Sequence, residues 1–209
     1  MLTNMTSQQH TFTPRQKEIL AEALRILAEE GSKALTMKRV AQGIGFTEAA
    51  MYRHFENKRA MLFALYAFVR QNLLATLSPV LALDCPPPQR LEAFVEKTID
   101  FLLANKGVNL ILLAESIQHN DPELRKAMLA IFMGFKALVE TLLQAGITSG
   151  HFRKDIDTDI YATCLAGMIQ GSLTRYFLGA YDPEVFDLTE AKTSIIQCFL
   201  NGVVPPQIG

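Results

Sequence analysis

Helix-start signals recur along this chain, and each is followed by apolar residues at helical spacing. Thr13 precedes Pro14 and Gln16, a hydroxyl cap with proline at the first helical position and a capping-box partner, after which Ile19, Leu20, Ala23, Leu24 and Leu27 form one stripe. Thr36 opens a short segment in which Met37, Val40, Ala41 and Ile44 repeat, and a very short helix is expected from Thr47 to His54. Asn57 caps a long helix whose Met61, Leu62, Leu65, Val69 and Leu73 share a side. The prolines ending at Pro88 are read as a break in the chain, because consecutive prolines cannot continue a helix. Beyond it, helices are expected at about 89–104, 107–119, 122–147, 157–179 and 188–202, with Asp121-Pro122 and Asp182-Pro183 as caps joined to first-turn prolines. No segment alternates apolar and polar residues as a half-buried strand does. The expected fold is all-α: a helix-turn-helix head of three helices and a helical bundle behind it, about nine helices in all.

Composition agrees, since Leu, Ala and Met dominate the apolar residues and are good helix formers. The expected division is a polar tail over 1–12, a head over 13–60 and a body over 61–209. Net charge is −1, unpromising for a nucleic-acid binder, but it is unevenly spread. Residues 1–66 carry nine Lys/Arg against six Asp/Glu, and residues 67–209 carry eleven against fifteen, so a mildly basic head sits on an acidic body. Cys85, Cys164 and Cys198 are odd in number and far apart, which implies neither a disulfide framework nor a zinc site, and they are expected to be buried small hydrophobes. No basic-then-apolar leader and no uninterrupted apolar run of bilayer length is read, so a cytoplasmic protein without membrane contact is expected. His10, His54, His119 and His151 have no ligand spacing, and neither a Ser/His/Asp arrangement nor a glycine-rich phosphate loop is present. No enzyme activity, cofactor or metal is expected.

Thr36 to Lys58 is the informative stretch. Val40, Ala41 and Ile44 face inward, a tight turn surrounds Gly45 and Phe46, and Met51 and Phe55 anchor a second short helix. That helix keeps Thr47, Glu48, Ala49, Tyr52, Arg53 and His54 outward. Small Ala49 and Ala50 allow its start to approach another surface closely. The Gly45-Phe46-Thr47 turn, the Tyr52-Arg53-His54-Phe55 run and the polar turn ending in Lys58 resemble the DNA-binding domain of the TetR family of bacterial regulators, over residues 14–66. Gly43 inside the first helix of the pair and acidic Glu48 early in the reading helix depart from the commonest family pattern.

The resemblance implies that Thr47, Glu48, Ala49, Tyr52 and Arg53 face the major groove. It puts His54 and Lys58 on phosphates, with Thr36 and Lys38 clamping the backbone from the preceding helix. It also implies a homodimer joined through the last two long helices, where Gly167 and Gly171 permit close approach and Ile195 and Phe199 belong to an apolar face. The body helices of such proteins enclose an apolar effector. Candidates for contacting it are Tyr66, Phe101, Leu112, Phe132 and Met133, with the polar Glu115, His119, Gln170 and Thr174 orienting it. The function implied is a repressor that binds a palindromic double-stranded DNA operator as a dimer and is released by an apolar small molecule. The alternative is a DNA-bound interaction protein without such an effector, similar to a nucleoid-occlusion factor of the same fold.

Overall fold

A computed structural model describes residues 11–118 and 120–205, and among them no strand occurs. The first helix, α1, spans Pro14–Glu30 and starts as its sequence dictates. Thr13 Oγ1 accepts from the Gln16 amide at 3.2 Å while Gln16 Oε1 accepts from the Thr13 amide at 3.1 Å. Such a cap is worth about 1 kcal/mol. Phe12 packs edge-on against Phe68, ring centroids 5.9 Å apart, so residue 12 is anchored rather than part of a tail. The rest of the expected tail, 1–10, lies outside the described residues.

The second helix, α2, spans Met37–Gly43 and the third, α3, only Glu48–Met51, shorter than expected because Tyr52 to His54 continue as a turn. Gly45 joins them at φ +70°, a left-handed conformation natural to glycine, and the Phe46 amide bonds back to the Ala41 carbonyl at 2.8 Å. Gly43 has a packing reason: a side chain there would run into Glu22 of α1. Ile19, Leu20, Ile26, Val40 and Met51 close the core beneath this head.

From its Asn57 cap, α4 (Lys58–Leu77) runs out of the head into the body, burying Met61, Leu62 and Leu65 early and Val69, Leu73 and Leu77 later. The body adds α5 (Pro87–Ala104), α6 (Val108–Gln118), α7 (Pro122–Thr148), α8 (Thr158–Leu178) and α9 (Leu188–Val203). Pro87 and Pro88 do not break the chain but form the first turn of α5, where the missing amide hydrogens have no helical partner anyway. Asp182 caps only a turn, accepting from the Glu184 amide. Asp187, one turn later, caps α9.

Both α4 with its short continuation to Ala82 and α7 have the length and hydropathy of bilayer-crossing helices, contrary to the expectation from sequence. Each turns its apolar side onto the protein's own helices. α4 packs on α1, α5 and α7, and α7 packs on α4, α5, α6 and α8. At 27 residues α7 is about 40 Å long. The cysteines also differ from expectation: Cys164 and Cys198 are exposed and Cys85 is half-buried.

Candidate functional site

The exposed side of α3 carries most of the residues expected to read DNA. Met51 and Phe55 are buried beneath it, which forces Glu48, Ala49, Tyr52 and Arg53 outward. Tyr52 is 50% exposed and its hydroxyl donates to Glu48 Oε1 at 3.3 Å. Thr47 and Thr36 are exposed too, but each hydroxyl already works as an N-cap, accepting from the Ala50 and Arg39 amides at 3.2 and 3.0 Å. His54 is half-buried, its ring stacked on Phe46 with centroids 6.3 Å apart, while its carbonyl accepts from Gln16 Nε2. It therefore braces the turn more than it presents a charge. Arg15, absent from the expected set, lies over the other side of this cluster, its guanidinium 5.1 Å from the Phe46 ring centre.

Ion pairing decides which cations remain available. Arg25 is held by Glu22 and Glu29, and Arg39 donates to Glu30 at 2.5 and 2.9 Å, tying α2 to α1. Through that contact the Glu30 carboxylate raises the proton affinity of the Arg39 guanidinium, and the guanidinium holds the Glu30 carboxyl below the usual range. Lys38, Arg53 and Lys58 are exposed and make no ion pair among the described residues. Most acids of α1 are thus paired with cations, while unpaired positive charge among the described residues stays on Lys38 of α2, Arg53 after α3 and Lys58 at the start of α4, and also on Lys17 and Lys33.

A cavity of about 530 Å³ lies in the body between α4, α5, α6, α7 and α8. Of the residues expected to meet a ligand, Phe101, Phe132 and Gln170 line it. Tyr66 and Leu112 do not. They are buried behind it, where the Tyr66 hydroxyl donates to the Leu112 carbonyl at 2.7 Å. Burial, then the nearby Glu115 carboxylate, pushes the Tyr66 phenol far up, so it stays a neutral donor. Glu115 is not among the residues lining the cavity. Met133 faces outward, Thr174 spends its hydroxyl on the Gln170 carbonyl at 2.8 Å, and His119 lies outside the described residues. The sequence reading missed Leu73, Asn109, Leu113, Ile117, Arg125 and Leu129, all of which line the cavity. Asn109 Nδ2 donates to Gln170 Oε1 at 2.9 Å across it.

Of the residues expected to join two copies, Ile195 and Phe199 are buried within one chain, Phe199 edge-on to Tyr161. The amphipathic α9 spends its apolar stripe on α5 and α8. Gly167 and Gly171 remain exposed with open space where a side chain would be, and with Ile160 and Cys164 they form one outer stripe of α8. Gly167 also lines the cavity.

Three contacts bind α6 and its flanking turns to α1 and α4. Lys106 Nζ bonds Glu29 of α1 at 2.7 Å, the Tyr66 hydroxyl of α4 meets Leu112, and Arg59 in the first turn of α4 grips Asp121 at 2.9 and 3.3 Å. The Lys106 ammonium, then Arg25, holds the Glu29 carboxyl low, and the Arg59 guanidinium does the same to Asp121.

A family model described as bacterial regulatory proteins, tetR family, matches residues 19–65, and a tetracyclin repressor-like C-terminal domain matches residues 84–176. The chain is 27% identical over 169 residues to the nucleoid occlusion factor SlmA of Aliivibrio fischeri (strain MJ11), covering 78% of this chain and 86% of that protein. It is 20% identical over 190 residues to the fatty acid metabolism regulator protein of Bacillus subtilis (strain 168), covering 91% and 96%. In fold it is similar to the fatty acid degradation regulator FadR of Bacillus halodurans, with a TM-score of 0.80 at 21% identity over 92% of this chain and 97% of that one. FadR of Bacillus subtilis in complex with stearoyl-CoA gives 0.77 at 19% identity over 89% and 98%.

Proposed function

The chain belongs to the TetR family of bacterial regulatory proteins and is a DNA-binding transcriptional regulator; from that premise we propose that it is a repressor released by an apolar small molecule. Two copies packed through the outer stripe of α8 present two α3 faces to successive major grooves of a palindromic operator. The centres of those grooves lie about 34 Å apart for half-sites one turn apart, so affinity depends on the spacing of the heads. Thr47, Glu48, Ala49, Tyr52 and Arg53 read bases, and Lys38 and Lys58 hold phosphates, as does Thr36 through its backbone-facing position. Its place of action is the nucleoid in the cytoplasm.

The observation that carries this reading is the cavity beside α6, a helix tied to α4 through its Leu112 carbonyl and flanked by Lys106 and Asp121, which bond to α1 and to the start of α4. A ligand entering from the α7 side displaces α6, and the Lys106, Leu112 and Asp121 contacts pass that displacement to α1 and α4. The ligand lowers operator affinity only to the extent that it binds the displaced state more tightly. The bound stearoyl-CoA of one structural neighbour supports an effector with a large apolar part.

The test is direct: an operator selected from random DNA by the purified protein is held in complex and titrated with apolar compounds. Release by about 1 to 3 kcal/mol of coupling is expected, with the dimer intact. The similarity to SlmA favours a second reading, a DNA-bound interaction protein. It is preferred if no apolar compound changes operator affinity while a protein from cell extract binds the DNA complex.

A further inference from the structure

The cavity separates its charge from its interior. Arg125 is the only charged side chain among the described residues that line it. Inside, no charged side chain is present among the described residues, and the hydroxyls and one Asn109 amide hydrogen are committed within the protein. Thr98 Oγ1 donates to the Phe94 carbonyl at 2.7 Å, Ser116 Oγ to the Leu113 carbonyl at 2.7 Å, and the Asn109 amide to Gln170. An anionic group placed there would lose its hydration without a cation to replace it.

Arg125 stands elsewhere, on the first turn of α7 beside the C-terminal half of α6. It is exposed, makes no ion pair among the described residues, and donates only to Asn120 Oδ1 at 3.1 Å. Its neighbours are not so free: Lys126 is paired with Glu123 at 2.6 Å, and Asp121 is occupied by Arg59. Around it the rim shows large apolar side chains to solvent, Ile117 at 62%, Leu129 at 56% and Leu113 at 37% exposure. A free guanidinium on an apolar rim, above a cavity that rejects charge, matches one ligand shape.

Resting on the reading of the cavity as an effector site, we infer that the effector is an anionic amphiphile. Its unbranched aliphatic chain fills the space between α5, α6, α7 and α8, and its negatively charged head stays at the rim on Arg125. A free carboxylate and an acyl thioester of coenzyme A share this chemistry.

Calorimetry on the full-length protein tests it with dodecanoate, dodecanol, dodecylammonium and dodecanoyl-coenzyme A, each kept below its micelle concentration. Dodecanoate or its thioester should bind at least tenfold more tightly than dodecanol or dodecylammonium. Within the acid series each added methylene should tighten binding roughly fourfold until the cavity is full. Arg125→Glu should remove at least tenfold from the anionic ligand and leave dodecanol unchanged, Arg125→Lys should restore most of it, and Lys126→Glu should matter little. Binding of the thioester alone assigns the conjugate as the source, and binding of dodecanoate alone assigns the free acid. Equal affinity for dodecanoate and dodecanol, or equal losses in Arg125→Glu and Lys126→Glu, overturns the inference while the cavity remains an effector site. If none of the four probes binds, both readings fail.

Discussion

The Tyr52 hydroxyl rests on the Glu48 carboxylate one turn before it, 3.3 Å away, on the exposed side of α3. The acid that departs from the commonest family pattern is therefore engaged by a phenol before any DNA arrives. Tyr52→Phe should release that carboxylate, turn an occupied acceptor into a bare negative charge and change base preference at one or two operator positions. Each altered position should move by about 1 to 3 kcal/mol. Lys58→Ala should weaken all sequences alike, because a phosphate contact carries no sequence information. Sequencing pools of DNA bound by each variant checks both, and unchanged pools with Tyr52→Phe would count against α3 as the reading helix.

Thr36 and Thr47 need a different substitution. Alanine at either position removes a helix cap worth about 1 kcal/mol along with any DNA contact. Serine keeps the cap, so Thr47→Ser should leave the thermal midpoint nearly unchanged while altering contacts made by the lost methyl. Comparing melting with operator binding for the Ala and Ser variants separates the two roles.

Gly171→Leu and Gly167→Leu should diverge. Both add bulk to the outer stripe of α8 and should yield monomer in sedimentation, since overpacking a close contact costs about 1 to 3 kcal/mol. Only Gly167→Leu should also reduce ligand affinity, because Gly167 alone of the two lines the cavity. Phe199→Ala should behave otherwise, lowering stability by about 3 to 5 kcal/mol as a core truncation. A stable, monomeric Phe199→Ala protein would restore α9's apolar stripe to the interface.

Coupling between ligand and operator should depend on the contacts of α6. Arg59→Ala and Lys106→Ala should shrink the effect of ligand on operator affinity while leaving each separate affinity within a few-fold. Tyr66→Phe should do the same and also destabilise by about 1 to 3 kcal/mol, because the buried Leu112 carbonyl loses its donor. Calorimetry with and without operator measures the coupling in both directions.

Acidity provides an independent check on two of those contacts. The Glu29 and Asp121 carboxyls are held below their usual range, by Lys106 and Arg59 first of all. A carboxyl lowered in the folded state stabilises it above the unfolded value, near 4, and that support is lost as the pH falls through the folded value. Both contacts should therefore persist throughout the neutral range and fail only in acid. A carbon-13 titration should place the Asp121 midpoint below the ordinary aspartate range in the parent and raise it in Arg59→Ala, where the Glu123 and Leu124 amides still hold it down.

Helix starts were the most legible part of the chain. Thr13, Thr36, Asn57 and Asp121 each accept from the backbone amides expected of them. Capping is local chemistry, readable within four residues. The cavity was less legible because α6 is apolar on nearly every side, with Leu110, Ile111, Leu112, Leu113 and Ile117 in close succession. Its rotation is set by Tyr66 from another helix, which turns Leu112 inward and leaves Leu113 for the cavity. On α8, Gly167 and Gly171 stood out by their four-residue spacing alone. Glycine and cysteine give little apolar signal, while the stronger stripe of α9 is core.

Two of the three contacts that hold α6 and its flanking turns to α1 and α4 lie in solvent, and the third is buried. Dissolved ions screen the first two over about 8 Å at physiological ionic strength and leave the Tyr66 hydrogen bond nearly untouched. The same ions should weaken the proposed grip of Lys38 and Lys58 on phosphate. On the proposed mechanism salt should therefore act twice, once on how tightly the operator is held and once on how firmly the news of a ligand reaches the DNA. On that mechanism a ligand response recorded in dilute buffer should exceed the one the cell obtains, and the residual response at high salt should isolate what Tyr66 alone transmits.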